Sequence, residues 1–309
     1  MPSSRTALRP GIAALSLALA AAALFSSCAI IGAASKIDDV LMAEEDPAIA
    51  AGALPTMIVA SEALSEADPK NQSKAVTTAS LYVMYANAFV QGPAAALPDE
   101  RFEERQAAYD RAGALYRRAY RLLQSTLDRR LPGFVESAVD GKADMSKLKK
   151  SDVPLLYWTS AAVLAAFGLN PLDFESARYL GAASAFMARA AELDPGWNGG
   201  AVHALYVPYY ASMPDYLGGD KAKALAAYEK ALEYSKGKSA ALFVTYATSI
   251  CVPADDYAGY KAALERALSI DPASVPENRL ATVIARADAR RLLASAGNYF
   301  ILPEGKEEP

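Results

Sequence analysis

One pattern constrains this chain more than any other: a triplet of small, large and small residues at positions i, i+4 and i+7 that keeps returning. Ala112, Tyr116 and Ala119 set it, and Ala183, Met187 and Ala190 repeat it. Ala224, Tyr228 and Ala231 carry it again, and Tyr260, Leu264 and Ala267 follow more loosely. These offsets share one face of an α-helix, where two small residues admit a neighbouring helix and the large one fills the gap. No stretch alternates apolar with polar residues for long enough to make a strand, so the chain reads as all-α.

Two copies end in Leu193-Asp194-Pro195 and Ile270-Asp271-Pro272, where proline stops the helix and prepares the next turn. Asp68-Pro69 marks an earlier copy. The closing alanines Ala119, Ala190, Ala231 and Ala267 stand 71, 41 and 36 residues apart, against about 34 for a regular tetratricopeptide repeat. The expected fold is a tetratricopeptide-like superhelix of helical hairpins with degenerate repeats. First helices of the hairpins then fall at about 73–91, 152–168, 197–213, 239–251 and 276–296, with Gly92-Pro93, Asn170-Pro171, Pro214, Gly218-Gly219 and Gly237 at the joins. The stretch 131–151 breaks the pattern and reads as a loop or short-helix insert.

The beginning of the chain carries a different signal. Arg5 and Arg9 lead into an apolar run from Gly11 to Leu24 that closes on Phe25-Ser26-Ser27-Cys28. A basic start, a short apolar core and small residues at its end make a secretory signal peptide. The cysteine after the small pair fits a bacterial lipobox, with Phe25 where Leu is usual. Residues 1–27 are therefore read as a lipoprotein signal peptide, Cys28 as the lipid attachment and 28–45 as a lipidated linker. The helical domain covers 46–300 and a frayed tail 301–309. Ala29 stands where Asp would hold a lipoprotein at the inner membrane, so a periplasmic chain on the inner leaflet of the outer membrane is favoured. No further segment reads as long and apolar enough to span a bilayer, which takes about 20 residues.

Without Arg5 and Arg9, Lys and Arg fall from 31 to 29 against 35 acids, a net charge of −6. That balance argues against a nucleic-acid binder, which would carry a basic face. With Cys28 acylated, Cys251 is left as a small buried apolar residue without a disulfide partner.

First helices of such an array line its concave side, and here they carry the aromatics Tyr82, Tyr85 and Phe89, Tyr157 and Trp158, His203, Tyr206, Tyr209 and Tyr210, and Tyr246. Tyrosine joins an apolar body to a polar tip, which suits a pocket that desolvates a ligand and orients it. Aromatics at helical spacing also fill gaps between helices, and the residues alone leave both readings open. His203 is the single histidine and has no Cys or carboxylate at i±3 or i±4, so it reads as a hydrogen-bonded, partly buried ring and not as a metal ligand. Arg279, Arg286, Arg290 and Arg291 form a basic stripe with Asp288 interleaved. It is either a solvated face with local pairs or a docking surface for an acidic partner. Asp255-Asp256 reads as a helix start. No nucleophile motif, zinc-binding helix or phosphate loop is present, so neither catalysis nor a cofactor is expected.

Several pieces in one order carry a resemblance. Tyr157-Trp158 on one helix, the Leu217-Gly218-Gly219-Asp220 turn opening a later one, and the closing arginine-rich helix lie within a chain that, from about Asp46 to Phe300, resembles the T component of tetratricopeptide-associated TRAP transporters, the TatT family. The resemblance implies a periplasmic lipoprotein that binds the substrate-binding P component. It also implies a hydrophobic ligand handed over to a membrane permease, and assembly into trimers; the first-helix tyrosines and Trp158, where they line a shared cavity, suit a hydrophobic or amphipathic organic acid. The alternative, from another class, is an adaptor lipoprotein that grips peptide segments during envelope assembly.

Overall fold

The computed structural model describes residues 37–301, and Cys28, the signal peptide and the last eight residues lie outside them. The described residues are helical, without strands. The first segments are α1 (Ile37–Met42), α2 (Pro47–Ala67) and α3 (Gln72–Tyr85), the last extended by a wider turn, Ala86–Gln91, and by α4 (Gly92–Ala95). Then come α5 (Phe102–Arg130), the short α6 (Phe134–Val139), α7 (Val153–Leu169), the short α8 (Phe174–Arg178) and α9 (Leu180–Leu193). The chain continues with α10 (Trp197–Ser212), α11 (Lys221–Tyr234), α12 (Ala240–Tyr246, extended by Ala247–Cys251), α13 (Tyr257–Leu268) and α14 (Arg279–Ala294). The expected first helices correspond to α3, α7, α10, α12 and α14. The 131–151 insert holds α6 and two single 3-10 turns.

The helix starts are fixed by local chemistry. Asp46, Asn71, Asp220, Ser239 and Asp256 each accept a hydrogen bond from a free backbone N–H of the first turn, which satisfies donors the helix itself cannot. Asp256 takes Gly259 N at 2.8 Å, as expected of the acidic pair.

Each long helix packs on the next, α2 on α3, α3 on α5, α5 on α7 and α7 on α9, and again α10 on α11, α12 on α13 and α13 on α14. First helices also touch one another, α3 with α7, α7 with α10, α10 with α12 and α12 with α14. This is the connectivity of stacked helical hairpins. The triplets face the seams: Ala112, Tyr116, Ala119, Ala183, Met187, Ala190, Ala224 and Ala231 are buried, as are Tyr260, Leu264 and Ala267. Only Tyr228 among the large members keeps part of its surface.

One core cluster runs from α1 to α12 and takes in Leu280 of α14, and a second joins α12, α13 and α14 with Phe300. The stack also closes on itself, because α14 touches α1 and α2, with Leu41 and Leu280 in one cluster and Arg279 facing Glu45 at 3.7 Å. Part of the stretch read as linker is thereby helical and docked.

Two features depart from the sequence reading. Helices α3 and α12 both widen into a π-turn, where Gly92 N–H reaches Asn87 O and Val252 N–H reaches Ala247 O. In each case a proline follows, Pro93 or Pro253, and a proline ring clashes with the carbonyl four residues back and removes a donor. The other correction concerns membrane-length segments. By length and composition alone, Pro47–Ala67 and Lys150–Leu169 pass as spans. The second is a core helix, packed by α3, α5, α9 and α10. The first is largely uncovered.

Candidate functional site

The expected aromatics fall into several separate groups. At the start of α7, Pro154 opens the helix and places Tyr157 and Trp158 side by side, with ring centroids 5.0 Å apart. Tyr157 also meets Trp197, at 4.8 Å. Trp197 was not among the expected residues, although it is the second of the two tryptophans and opens a first helix. Trp197 N donates to Asp194 O at 3.1 Å, and the chain then turns through left-handed Asn198, Gly199 and Gly200. At Gly200, φ is +84° and a Cβ would stand 2.7 Å from Tyr234 Cβ, so only glycine lets α10 come this close to α11.

Tyr157 lies deep in the protein, and burial pushes its phenol up to about 12. Its side chain still keeps part of its solvent exposure, as do Trp158 and Trp197. The surface hollows at Met42 and Pro276 and at Pro132 and Lys147 lie elsewhere.

Further along α10, Tyr206 stacks on Tyr210 with centroids 5.0 Å apart, and Tyr209 meets Tyr210 edge-on at 5.2 Å. Tyr206 and Tyr209 are buried and Tyr210 half-buried. The Leu217-Gly218-Gly219-Asp220 turn wraps this cluster. Tyr209 Oη donates to Leu217 O at 3.2 Å and Asp220 N to Tyr210 O at 2.8 Å. A Cβ on Gly219 would stand 1.8 Å from Met213 O, which explains the second glycine.

His203 is buried, its ring parallel to Tyr234 at 5.4 Å. Among the described residues its Nε2 has no hydrogen-bond partner, contrary to the expected hydrogen-bonded ring. Burial, with Lys230 adding to it, lowers its pKa, so the ring stacks neutral. Tyr246 packs on Tyr228 at 4.3 Å.

The remaining pair sits apart on α3. Tyr82 is buried beneath the Arg118 guanidinium, 4.7 Å from its ring, and burial with the Glu62 carboxylate pushes its phenol up. It fills the seam between α3 and α5 and does not line a cleft. Tyr85 stacks on Phe89 at 6.3 Å and accepts from Arg111 Nη2 at 3.1 Å.

The arginine stripe of α14 is divided as well. Arg279 faces Glu45 across the closing seam, and Arg291 pairs with Asp288 at 3.1 Å. Arg286 is half-buried and Arg290 exposed. Cys251 is buried in the second core, and burial pushes its thiol up to about 11, which leaves it inert.

The described residues form an all-α stack of packed helices, with tyrosines and tryptophans grouped on several of the first helices. The TRAP transporter T-component family matches residues 43–300, and the chain belongs to that family. It is thus an auxiliary component of an envelope transport system. It is also similar to an uncharacterized protein of Treponema pallidum (strain Nichols), 36% identical over 263 residues that cover 84% of this chain and 81% of the relative.

Proposed function

We propose that the chain is a periplasmic lipoprotein, anchored through Cys28, that binds the P component of its transporter and holds a hydrophobic or amphipathic organic acid for hand-over. The observation that carries the ligand half is the cluster of three half-buried rings, Tyr157 with Trp158 and Trp197 beside it, its phenol pushed up by burial. An apolar molecule entering there takes its own surface and the rings out of water, at about 25 cal/mol per Å2, while the phenol supplies a polar contact. Arg290 and the accessible part of Arg286 supply the basic surface for an acidic partner. The hairpin stacking supports the tetratricopeptide-like reading.

The chain carries its own reporter, since its two tryptophans both border Tyr157. Titration with a long-chain fatty acid is expected to shift and quench tryptophan emission saturably, and Tyr157→Ala is expected to remove the saturation without unfolding the protein. Unchanged emission across soluble fatty and aromatic acids would end the ligand reading and leave partner docking. Fatty-acid labelling in cells tests the anchor, and label that persists in Cys28→Ala would refute it.

A further inference from the structure

The turn that carries Trp197 is shaped around one side chain of the next helix. Gly196 and Gly200 bracket Trp197, and a Cβ on them would stand 3.3 Å and 2.7 Å from Tyr234. On Gly199 it would lie 4.0 Å from Ser235 Cα. The glycines thus let the turn close on the end of α11, and Tyr234 fills its crook. The second support of Tyr234 is His203, whose ring lies parallel to it, 4° between the planes. Tyr234 is otherwise 37% exposed, so His203 backs it from within.

His203 can hold this place only as a neutral ring. It is 7% exposed, and its buried Nε2 has no hydrogen-bond partner among the described residues. The elements packed on α10 offer no counter-charge. Helix α7 and the extended α12 bring only the neutral phenols of Tyr157 and Tyr246 and the Cys251 thiol, and α10 itself only tyrosines. On α9, Arg189 and Glu192 pair with each other at 3.0 Å. On α11, Lys230 lies one turn before Tyr234 on the same face, while Glu229 and Glu233 are exposed and off that face. A proton on Nε2 would therefore be a buried donor and a buried charge with no acceptor. The pull of the Tyr234 ring face on a cation is weak beside that cost.

We propose that Tyr234, backed by His203, is the positioning residue that holds Trp197 against Tyr157, and that protonation of His203 releases it. Burial and Lys230 lower the pKa of the imidazole. The clamp is thus complete above the ordinary value of about 6.5 and is lost as pH falls below it. Its effect on ligand capture rests on the ring site proposed above, whereas the clamp itself needs no ligand.

Trp158→Phe leaves Trp197 as the single tryptophan, and His203 is the single histidine. In the free protein one emitter then reports one titration between about pH 8 and pH 5, where imidazole is the side chain that ordinarily changes charge. Emission is expected to move to longer wavelength as pH falls, with a midpoint below about 6.5 and circular dichroism still helical. In the same background, His203→Phe keeps a ring beside Tyr234 and is expected to flatten the profile, and Lys230→Gln to move the midpoint to higher pH. Tyr234→Ala is expected to show the acid emission already at neutral pH, and Tyr234→Phe to restore the starting profile. Emission that ignores pH, a step that survives in His203→Phe, or a midpoint unmoved by Lys230→Gln would each overturn the clamp. Lys230 is exposed, so its variant gives the answer even where His203→Phe does not fold. Capture is read separately, with Trp158 retained, using octanesulfonate, which stays ionised throughout. Its affinity is expected to fall several-fold on acidification and to hold in His203→Phe. Equal affinity at both ends of the range would overturn the release of ligand, whereas no binding at any pH beside an intact emission step would remove the ring site and leave the clamp standing.

Discussion

The second helices of the hairpins and the first helices bury aromatic side chains for different ends. In α5, Tyr116 and Tyr120 have no exposed surface, and small residues such as Ala112 and Ala119 pack around them. In α7 and α10, Tyr157 leans on Trp158 and Trp197, Tyr210 stacks separately on Tyr206, and Tyr157, Trp158, Trp197 and Tyr210 each keep part of their surface. Second helices spend their large residues on the fold, while first helices hold several rings at the boundary with water. A substitution in the former is expected to cost stability, and in the latter binding.

The largest effect is expected from Tyr116→Ala. This ring is fully buried and its hydroxyl donates to Gln91 Oε1 at 2.6 Å, tying α5 to the wide turn of α3. Emptying such a site costs about 3 to 5 kcal/mol, which denaturant unfolding of the purified chain would show. A loss below about 1 kcal/mol would erase the contrast between the two kinds of helix.

Asp152, at the entry to α7, comes next. It is buried, receives the Arg130 guanidinium, and accepts from Lys149 N at 2.8 Å and Gln72 Nε2 at 3.1 Å. Burial alone would raise its pKa, but these hydrogen bonds outweigh it and hold the carboxyl below the usual range. A depressed folded pKa contributes stability above the unfolded value, near 4, and loses it as pH falls through the folded one. Asp152→Asn is therefore expected to lower stability at pH 7 by about 2 to 3 kcal/mol and to flatten the fall in melting temperature below about pH 4. Parallel pH profiles for both proteins would remove the ion pair from the account.

Ala231→Trp is expected to cost about 1 to 3 kcal/mol by overpacking, since Ala231 is buried in the triplet face of α11. At the other pole, Trp158→Ala is expected to shift the thermal midpoint by only a few degrees, given that the ring is already partly exposed, while weakening fatty-acid uptake. A Trp158→Ala protein as unstable as Tyr116→Ala would make these rings core and nothing more. The smallest structural effect belongs to Arg290→Glu, an exposed position, where stability stays within about 0.5 kcal/mol and only pull-down of the P component is expected to fall.

The triplets made the second helices legible because burial there follows from spacing alone. Small residues at i and i+7 have one structural use, and the buried faces of α5, α9 and α11 match them, with Tyr260 of α13 taking the first small position. First-helix aromatics have two uses, and spacing cannot separate Tyr82, which fills a seam, from Tyr157, which stays half-open. Trp197 went unread because its role depends on the left-handed turn after it, which a sequence shows only as Asn198-Gly199-Gly200. The wide turns had a signal in Pro93 and Pro253, but proline after a helix also marks a plain ending. The contact of α14 with α1 pairs segments more than 230 residues apart, beyond any local pattern.

That contact changes how the molecule comes apart. An open row of hairpins can fray from either end, one unit at a time, and needs dedicated caps. Here loosening α14 also uncovers Leu41, and loosening α1 uncovers Leu280, so neither terminus is a place where melting starts cheaply. A single sharp unfolding transition follows, in place of a staircase.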